Sequence, residues 1–133
     1  MSHEHHAIRT KEAKDMLERV RRCCRKLPEA QEVIDGFGHT VMRVRNKSFI
    51  FIGGTQDGGP VLSIKATKEM QQFLIHQQQG AFWKTPYIGQ HGWVSTRAAD
   101  PDAWKEIEPL IVEGYCLAAP KSLVKQWRTI REQ

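Results

Sequence analysis

The chain has 133 residues, of which 40% are hydrophobic and 26% are charged, as expected for one soluble globular domain. The mean hydropathy of −0.53 and the lack of any apolar run of about 18 residues exclude a transmembrane helix, so no membrane partner is expected. The 20 Lys and Arg residues exceed the 15 Asp and Glu residues, and residues 1–26 hold eight of the basic residues but four of the acidic ones. The absence of a basic and apolar leader predicts a cytoplasmic protein.

The N-terminal segment 1–9 contains several histidines but no periodicity, so we expect a flexible segment ahead of a single domain, 10–133. The three cysteines are an odd number in a chain without an export signal, which favours reduced thiols. They are Cys23, Cys24 and Cys116. A zinc site needs four ligands and the chain has no second cysteine pair, so neither a metal site nor a cofactor is predicted.

Helical periodicity spans 10–27, where Thr10 is the expected N-cap and Pro28 the stop. The apolar residues fall within one arc of about 120°. They are Ala13, Met16, Leu17, Val20, Cys23, Cys24 and Leu27. The opposite face carries one acid, Glu18, among the basic residues Lys11, Lys14, Arg21, Arg22 and Arg25. These cations form either a solvated face that keeps the protein soluble or a ridge that binds a polyanion.

Alternating residues predict two strands, Thr40 to Arg45 and Lys47 to Gly53, joined by a tight hairpin turn at Asn46-Lys47. Pairing of Arg45 with Ser48 would place Met42, Val44, Phe49 and Phe51 on one face. The other face would then carry Arg43, Arg45, Ser48, Ile50 and Ile52. A shift of one residue would exchange the two faces, so this assignment depends on the register.

A third strand is predicted over 61–65, with Leu62 and Ile64 pointing inward. The glycine-rich loop before it resembles neither a phosphate-binding loop nor a dinucleotide fingerprint. Thr67 caps the next helix, which ends at Gly80. Its buried stripe is predicted to contain Met70, Phe73, Leu74 and Gln77.

The C-terminal half is predicted to contain a strand over 93–97 and two helices. The first helix begins at Asp100-Pro101 and is kinked or restarted at Pro109, and Pro120 opens the second. This order of elements predicts an α+β domain, with α-helices packed mainly on one face of an antiparallel β-sheet.

The densest aromatic stretch lies at 82–93 and supplies a candidate ligand pocket. Its residues are Trp83, Tyr87, His91 and Trp93. Aromatic side chains around one polar tip can hold a small ligand, but they can equally close the edge of the core. No nucleophile, base and orienting group occur together, and no carboxylates cluster, so the chain is predicted not to be an enzyme.

Several short motifs resemble the MmcQ/YjbR family of small bacterial proteins from about Thr10 onward. They are Cys24 to Pro28, Phe37-Gly38, Lys47 to Phe51, Leu62 to Thr67, Pro86 to Gly89, Gly92 to Val94 and Tyr115 to Lys121. The resemblance implies a fold like that of the frataxin/CyaY group and DNA binding through a double-wing arrangement. Gln90 and Gly114 depart from the family pattern, which usually has a basic residue and a serine there.

DNA is accordingly the expected partner, contacted through the basic residues of the first helix or through those of the hairpin and third strand. The second set comprises Arg43, Arg45, Lys47 and Lys65. Such contacts to phosphates supply affinity but little sequence readout. The alternative is a small-ligand or protein-interaction module built on the aromatic 82–93 segment. Iron binding, suggested by the frataxin-like fold, would need an acidic first helix, and this helix is basic. A monomer or weak homodimer is expected.

Overall fold

Six strands form one antiparallel sheet in the order β1-β2-β3-β4-β6-β5. The computed structural model describes residues 10–54, 59–77, 80–98 and 100–132. The elements are α1 (Lys11–Cys24), β1 (Gln31–Ile34), β2 (Thr40–Val44), β3 (Lys47–Gly54), β4 (Pro60–Ile64), α2 (Lys68–Gln77), β5 (Phe82–Lys84), β6 (Val94–Thr96), α3 (Trp104–Ala118) and α4 (Lys121–Arg131). Two short 3₁₀ helices cover Ile88–His91 and Pro101–Ala103. The predicted α+β class is confirmed, whereas the predicted flexible segment, 1–9, lies outside the described residues.

Cross-strand pairing divides the sheet residues between two faces, because partners in an antiparallel ladder point the same way. The core face carries Thr40, Met42, Ile50, Ile52, Leu62, Ile64, Phe82, Val94 and Thr96, all of them buried. The open face carries Val33, Val41, Phe51, Ser63, Trp83 and Ser95. Side chains from all four helices join the core face in one hydrophobic cluster. The prediction that the helices pack mainly on one face is confirmed.

The first helix follows its sequence pattern closely. The Thr10 hydroxyl accepts a hydrogen bond from the backbone N–H of Ala13, as an N-cap should. The apolar arc is buried in the core, with Val20 fully enclosed, except that Cys23 is half-buried. The helix ends at Cys24, a turn earlier than the predicted stop at Pro28.

The predicted register of the hairpin is wrong. Ser48 pairs with Arg43, and Arg45 and Asn46 form the turn with positive φ angles of 50° and 67°, as in the tight turns preferred by hairpins. The register also shifts between Met42 and Arg43. In consequence, Met42 shares the core face with Ile50 and Ile52, not with Phe51. Phe51 lies on the open face.

Other elements also differ from the sequence prediction. The strands β1 and β5 were not predicted, and both are short edge strands. Phe73 is 56% exposed, whereas Gln71 is the buried polar residue of α2. The helix α3 runs unbroken through Pro109. No helix in the described part of the chain is both long enough and apolar enough to span a membrane.

The helix α3 approaches the sheet unusually closely at Gly114. A Cβ atom at this position would lie 2.8 Å from the backbone oxygen of Lys65 and 3.3 Å from the Cγ2 atom of Ile64. The next residue, Tyr115, is fully buried against Phe49, with its ring at 79° to the Phe49 ring. Its hydroxyl donates a 2.7 Å hydrogen bond to the Pro28 carbonyl. Burial raises the pKa of this phenol to about 12.

Candidate functional site

The open face of the sheet forms the floor of a cleft of about 530 Å³. Its walls are the loop between β1 and β2 and the segment that follows β5. The lining residues are Asp35, Phe37, His39, Phe51, Gly53, Gly54, Val61, Ser63, Trp83, Thr85, Pro86, Tyr87, Ile88 and Ser95. Two of the aromatic residues stand at the rim, since Phe37 is 79% exposed and Tyr87 is 94% exposed. Phe51 and Trp83 are half-buried on the floor.

Three hydroxyl groups form a chain on this floor. The Ser95 hydroxyl lies 2.8 Å from the Ser63 hydroxyl and 2.8 Å from that of Thr85. The arrangement follows from the sheet register, because Ser63 pairs with Ser95 across β4 and β6. All three residues are buried but line the cleft. Three hydroxyls carry three protons, and the two hydrogen bonds between them use two. One proton is therefore left to donate.

His39 lies at one wall of the cleft and is held by Asp35. The Asp35 carboxylate accepts hydrogen bonds from the backbone N–H groups of Phe37 and His39, and its second oxygen lies 3.2 Å from His39 Nδ1. Partial burial opposes ionisation of this carboxyl, but the accepted hydrogen bonds outweigh it and lower the pKa of Asp35. The imidazole packs over Gly53, which leaves room for it, and at 77° to the Phe51 ring.

Tyr87 is presented by a strained turn. Its φ and ψ angles are 67° and −56°, and the N–H of Ile88 donates a 2.8 Å hydrogen bond to the Pro86 carbonyl. These values define a γ-turn of the rarer hand. A non-glycine residue in such a conformation costs about 1–3 kcal/mol and is most often found at functional sites. The strain holds an aromatic ring at the cleft rim.

The predicted aromatic pocket is only partly assembled. Trp83 and Tyr87 line the cleft, but Trp93 is 6% exposed and packs beneath it, with its ring centre 5.1 Å from that of Phe51. His91 is exposed at the end of a 3₁₀ helix and does not line the cleft. Phe37, His39, Phe51 and the three hydroxyl residues were missed. In the correct register, Phe51 on β3 pairs with Ser63 on β4. This pairing would have placed both side chains on the open face.

The basic face of α1 is partly neutralised. Arg21 donates hydrogen bonds of 2.7 and 2.9 Å to the two carboxylate oxygens of Glu32 on β1, and this pairing raises the pKa of Arg21 and lowers that of Glu32. Arg25 lies 3.7 Å from Glu18, and Lys11 lies 3.1 Å from Asp15. Lys14 and Arg22 are exposed and pair with no described acid.

The basic residues predicted on the hairpin and third strand also lie in different surroundings. Arg45 forms a bidentate pair with Glu29, with bonds of 2.6 and 3.0 Å. Lys47 is exposed at the hairpin, and Arg43 lies on the open face by alternation with Val41. Lys65 places its Nζ atom 5.8 Å from the centre of the Trp93 ring. Because α1 packs on the core face, the helix cations and those of the open face cannot contact one duplex together.

Cys23, Cys24 and Cys116 form no disulfide, and Cys24 is buried. Burial raises the pKa of the Cys23 thiol to about 11 and that of Cys24 to about 12, which disfavours the reactive thiolate. Among the described residues, no three His, Cys, Asp or Glu side chains come together as metal ligands.

Comparison with known proteins identifies the family. The model of the YjbR family matches residues 25–117, which is 93 of the 133 residues. The chain belongs to the YjbR family. All residues that line the cleft lie within the region matched to YjbR, whereas Lys11, Lys14, Arg21 and Arg22 precede it.

The fold of this YjbR protein is similar to that of a solved structure. The crystal structure of Deinococcus radiodurans protein DR2400, which has a DUF419 domain, aligns with a TM-score of 0.67 and 21% sequence identity. The alignment covers 84% of this chain and 87% of that one. At this identity the similarity extends to the fold alone. No curated protein matches the chain.

Proposed function

We propose that this protein is a binding module, not an enzyme, and that it holds a small, flat aromatic molecule in the open-face cleft. The single observation that carries the proposal is the convergence of four aromatic side chains on one cleft. They are Phe37, Phe51, Trp83 and Tyr87. They come from a loop, two strands and a strained turn, so no local sequence pattern brings them together.

The size and lining of the cleft support this ligand class. A volume of about 530 Å³ falls in the range of small-molecule sites, about 300–1,000 Å³. Stacked or edge-to-face aromatic pairs contribute about 0.5–1.5 kcal/mol beyond the area they bury. Two rim residues as exposed as Phe37 and Tyr87 gain most from being covered by a ligand. The hydroxyl chain on the floor adds polar contacts that orient the ligand.

The proposal is tested with quinoline, a neutral bicyclic aromatic probe, titrated into the 15N-labelled protein at pH 8. The indole N–H resonance of Trp83 should shift on binding, whereas that of Trp127 on α4 should not. Phe37→Ala should weaken binding about 3- to 10-fold through the loss of one aromatic contact.

Phe73→Ala is the matched control for Phe37→Ala. Phe73 is also an exposed phenylalanine, but it lies on α2 and does not line the cleft, so its variant should bind quinoline as the wild type does. No shift at Trp83, or equal losses in the two variants, would refute the aromatic site.

DNA binding is the second candidate, and the position of Lys65 favours it. Lys65 lies over Trp93, and Arg43 occupies the same open face, so two cations share this face with the aromatic residues. Lys47 extends this set towards the hairpin. Against this, Lys11, Arg21, Arg25 and Arg45 already form ion pairs, which reduces the charge left for phosphates.

Fluorescence anisotropy with a labelled duplex at several salt concentrations distinguishes the two candidates. If about four phosphates are engaged, the logarithm of the binding constant should fall with that of the salt concentration with a slope of about −3.6. Lys65→Glu should weaken such binding more than Lys11→Glu. If the duplex does not bind at low salt, DNA binding is refuted. Quinoline binding should not depend on the salt concentration.

A further inference from the structure

We infer that the cleft selects an uncharged heteroaromatic ligand with a hydrogen-bond acceptor at one edge and an N–H donor at the opposite edge. The inference rests on the proposed function and names the chemistry of its ligand. It follows from the two polar groups that the cleft presents, the hydroxyl chain on the floor and the His39 imidazole on the wall.

The hydroxyl chain calls for an acceptor on the ligand. Ser63, Ser95 and Thr85 hydrogen-bond to one another and so use two of their three protons. The third proton can be donated from a buried position on the floor, where an unsatisfied polar group is costly. A carbonyl oxygen on the ligand would accept it.

The His39 imidazole on the cleft wall requires a hydrogen-bond donor on the ligand. Asp35 is a carboxylate and can only accept, so the 3.2 Å contact with His39 requires the proton to be on Nδ1. In the neutral ring, Nε2 is then an acceptor. The ring is fixed by its packing over Gly53 and against Phe51, and it therefore presents this lone pair in a set direction. A ligand N–H would donate to it.

The two polar groups lie at different places on the sheet. Gly53, beneath the imidazole, lies two residues along β3 from Phe51, and Phe51 pairs with Ser63 on β4. Two such positions have Cα atoms about 8 Å apart. A ligand that contacts both groups therefore needs its acceptor and its donor at different edges.

The charges of the lining exclude an anion as the preferred ligand. Of the described residues that line the cleft, none is Lys or Arg, and Asp35 contributes a negative charge at the wall. A carboxylate or phosphate would therefore lose its hydration without gaining a cation. Lys65 lies next to Trp93, outside the lining.

Three quinoline derivatives test the inference by the shift of the Trp83 indole resonance at pH 8. The first, 4-quinolone, has an N–H opposite a carbonyl; 1-methyl-4-quinolone has the carbonyl alone; quinoline-4-carboxylate is an anion. We expect 4-quinolone to bind about 3- to 10-fold more tightly than its methyl derivative, the usual effect of one hydrogen bond. The carboxylate should bind more weakly than either.

Two variants assign the hydrogen bonds. His39→Phe keeps an aromatic ring but removes the acceptor, so it should abolish the preference for 4-quinolone over 1-methyl-4-quinolone. Ser95→Ala interrupts the hydroxyl chain and should weaken both quinolones equally. The 15N spectrum of His39→Phe without ligand shows independently whether this variant is folded.

The outcomes separate this inference from the proposed function. If quinoline shifts Trp83 but the quinolones bind no better, or if His39→Phe retains the preference, the ligand class is wrong while the aromatic site stands. If the carboxylate binds most tightly, the cleft is an anion site and the inference is overturned. If none of the probes shifts Trp83, the proposed function fails and the inference fails with it.

Discussion

The side-chain amide of Gln71 donates a 2.6 Å hydrogen bond to the backbone oxygen of Trp93. The same nitrogen lies 2.8 Å from the backbone oxygen of Gly89, so one buried side chain on α2 holds the segment that leads into β6. This segment begins with the turn that presents Tyr87. Gln71 does not line the cleft and is therefore a positioning residue for the candidate site.

Replacing Gln71 with leucine should destabilise the protein and loosen the cleft. Gln71→Leu removes one donor from each of two buried carbonyl groups, which keep only the backbone N–H groups of Gly92 and Thr85, and we expect a loss of about 1–3 kcal/mol in the free energy of unfolding for the two hydrogen bonds. The amides of residues 86–92 should exchange with solvent faster, and quinoline should bind more weakly. Urea unfolding and hydrogen exchange measure these effects.

Gln72→Leu is the matched control for this change, because Gln72 is the exposed neighbour on the same helix. Its stability should stay within about 0.5 kcal/mol of the wild type. Equal effects of the two variants would show that the hydrogen bonds of Gln71 do not hold the segment.

Because Tyr87 lies in a strained turn, its replacement by glycine should raise the stability of the protein but weaken ligand binding. Tyr87→Gly relieves a backbone strain of about 1–3 kcal/mol, but glycine gives back about 0.5–1 kcal/mol through the entropy of the unfolded chain. We expect the protein to be up to about 2.5 kcal/mol more stable and to bind quinoline about 3- to 10-fold more weakly.

Tyr87→Phe keeps both the ring and the strain, so it should resemble the wild type in stability and in quinoline affinity. A Tyr87→Gly variant that is less stable than the wild type would contradict the strain at this position. One that binds quinoline normally would remove Tyr87 from the site.

The sequence was sufficient to predict most of the core. Periodicity alone identified the buried face of α1, because helical spacing is repeated over several turns. Thr10 was also identified correctly as an N-cap, since a capping residue acts within one turn of its own helix. Such features depend on contacts between near neighbours in the chain.

The cleft could not be predicted in the same way because it depends on register. The displaced hairpin pairing placed Phe51 on the same face as Met42 and hid the pairing of Phe51 with Ser63. The edge strand β5, which carries Trp83, has three residues, too few to show an alternating pattern. His39 joins the site through its packing over Gly53, a contact between strands that no local spacing encodes.

The pairing of Glu32 with Arg21 predicts a loss of stability in acid. The hydrogen bonds from Arg21 lower the pKa of Glu32 below its ordinary value of 4.5, so the folded state favours the ionised carboxylate. This contribution is fully present above pH 4.5 and is lost as the pH falls through the folded-state pKa. Because the pair is partly exposed, we expect it to contribute no more than about 1 kcal/mol.

Urea unfolding between pH 7 and pH 3 measures this contribution. Glu32→Gln should be less stable than the wild type at pH 7, and the difference should shrink as the pH falls from 4.5 towards 3. Glu113→Gln is the control, because Glu113 is exposed and forms no ion pair with a described residue. A difference between Glu32→Gln and the wild type that stays constant with pH would be incompatible with the pairing.

The close approach of α3 to the sheet predicts that an alanine at Gly114 is destabilising, although helix propensity favours alanine by about 1 kcal/mol. The added Cβ would lie 2.8 Å from the Lys65 oxygen, and a backbone atom cannot rotate away as a side chain can. Overpacking of this kind costs about 1–3 kcal/mol. The steric cost should exceed the gain in propensity, so we expect Gly114→Ala to lose up to about 2 kcal/mol in the free energy of unfolding, measured in urea.

Glu108→Ala separates the two effects, because Glu108 lies on the exposed side of the same helix and its replacement adds no atom towards the sheet. Its stability should change by less than about 0.5 kcal/mol. If Gly114→Ala were instead stabilised by about 1 kcal/mol, propensity alone would govern the position.

Lys65 directly follows β4, so a displacement of its backbone should also move Ser63 on the cleft floor. Weaker quinoline binding by Gly114→Ala but not by Glu108→Ala would link this helix contact to the site.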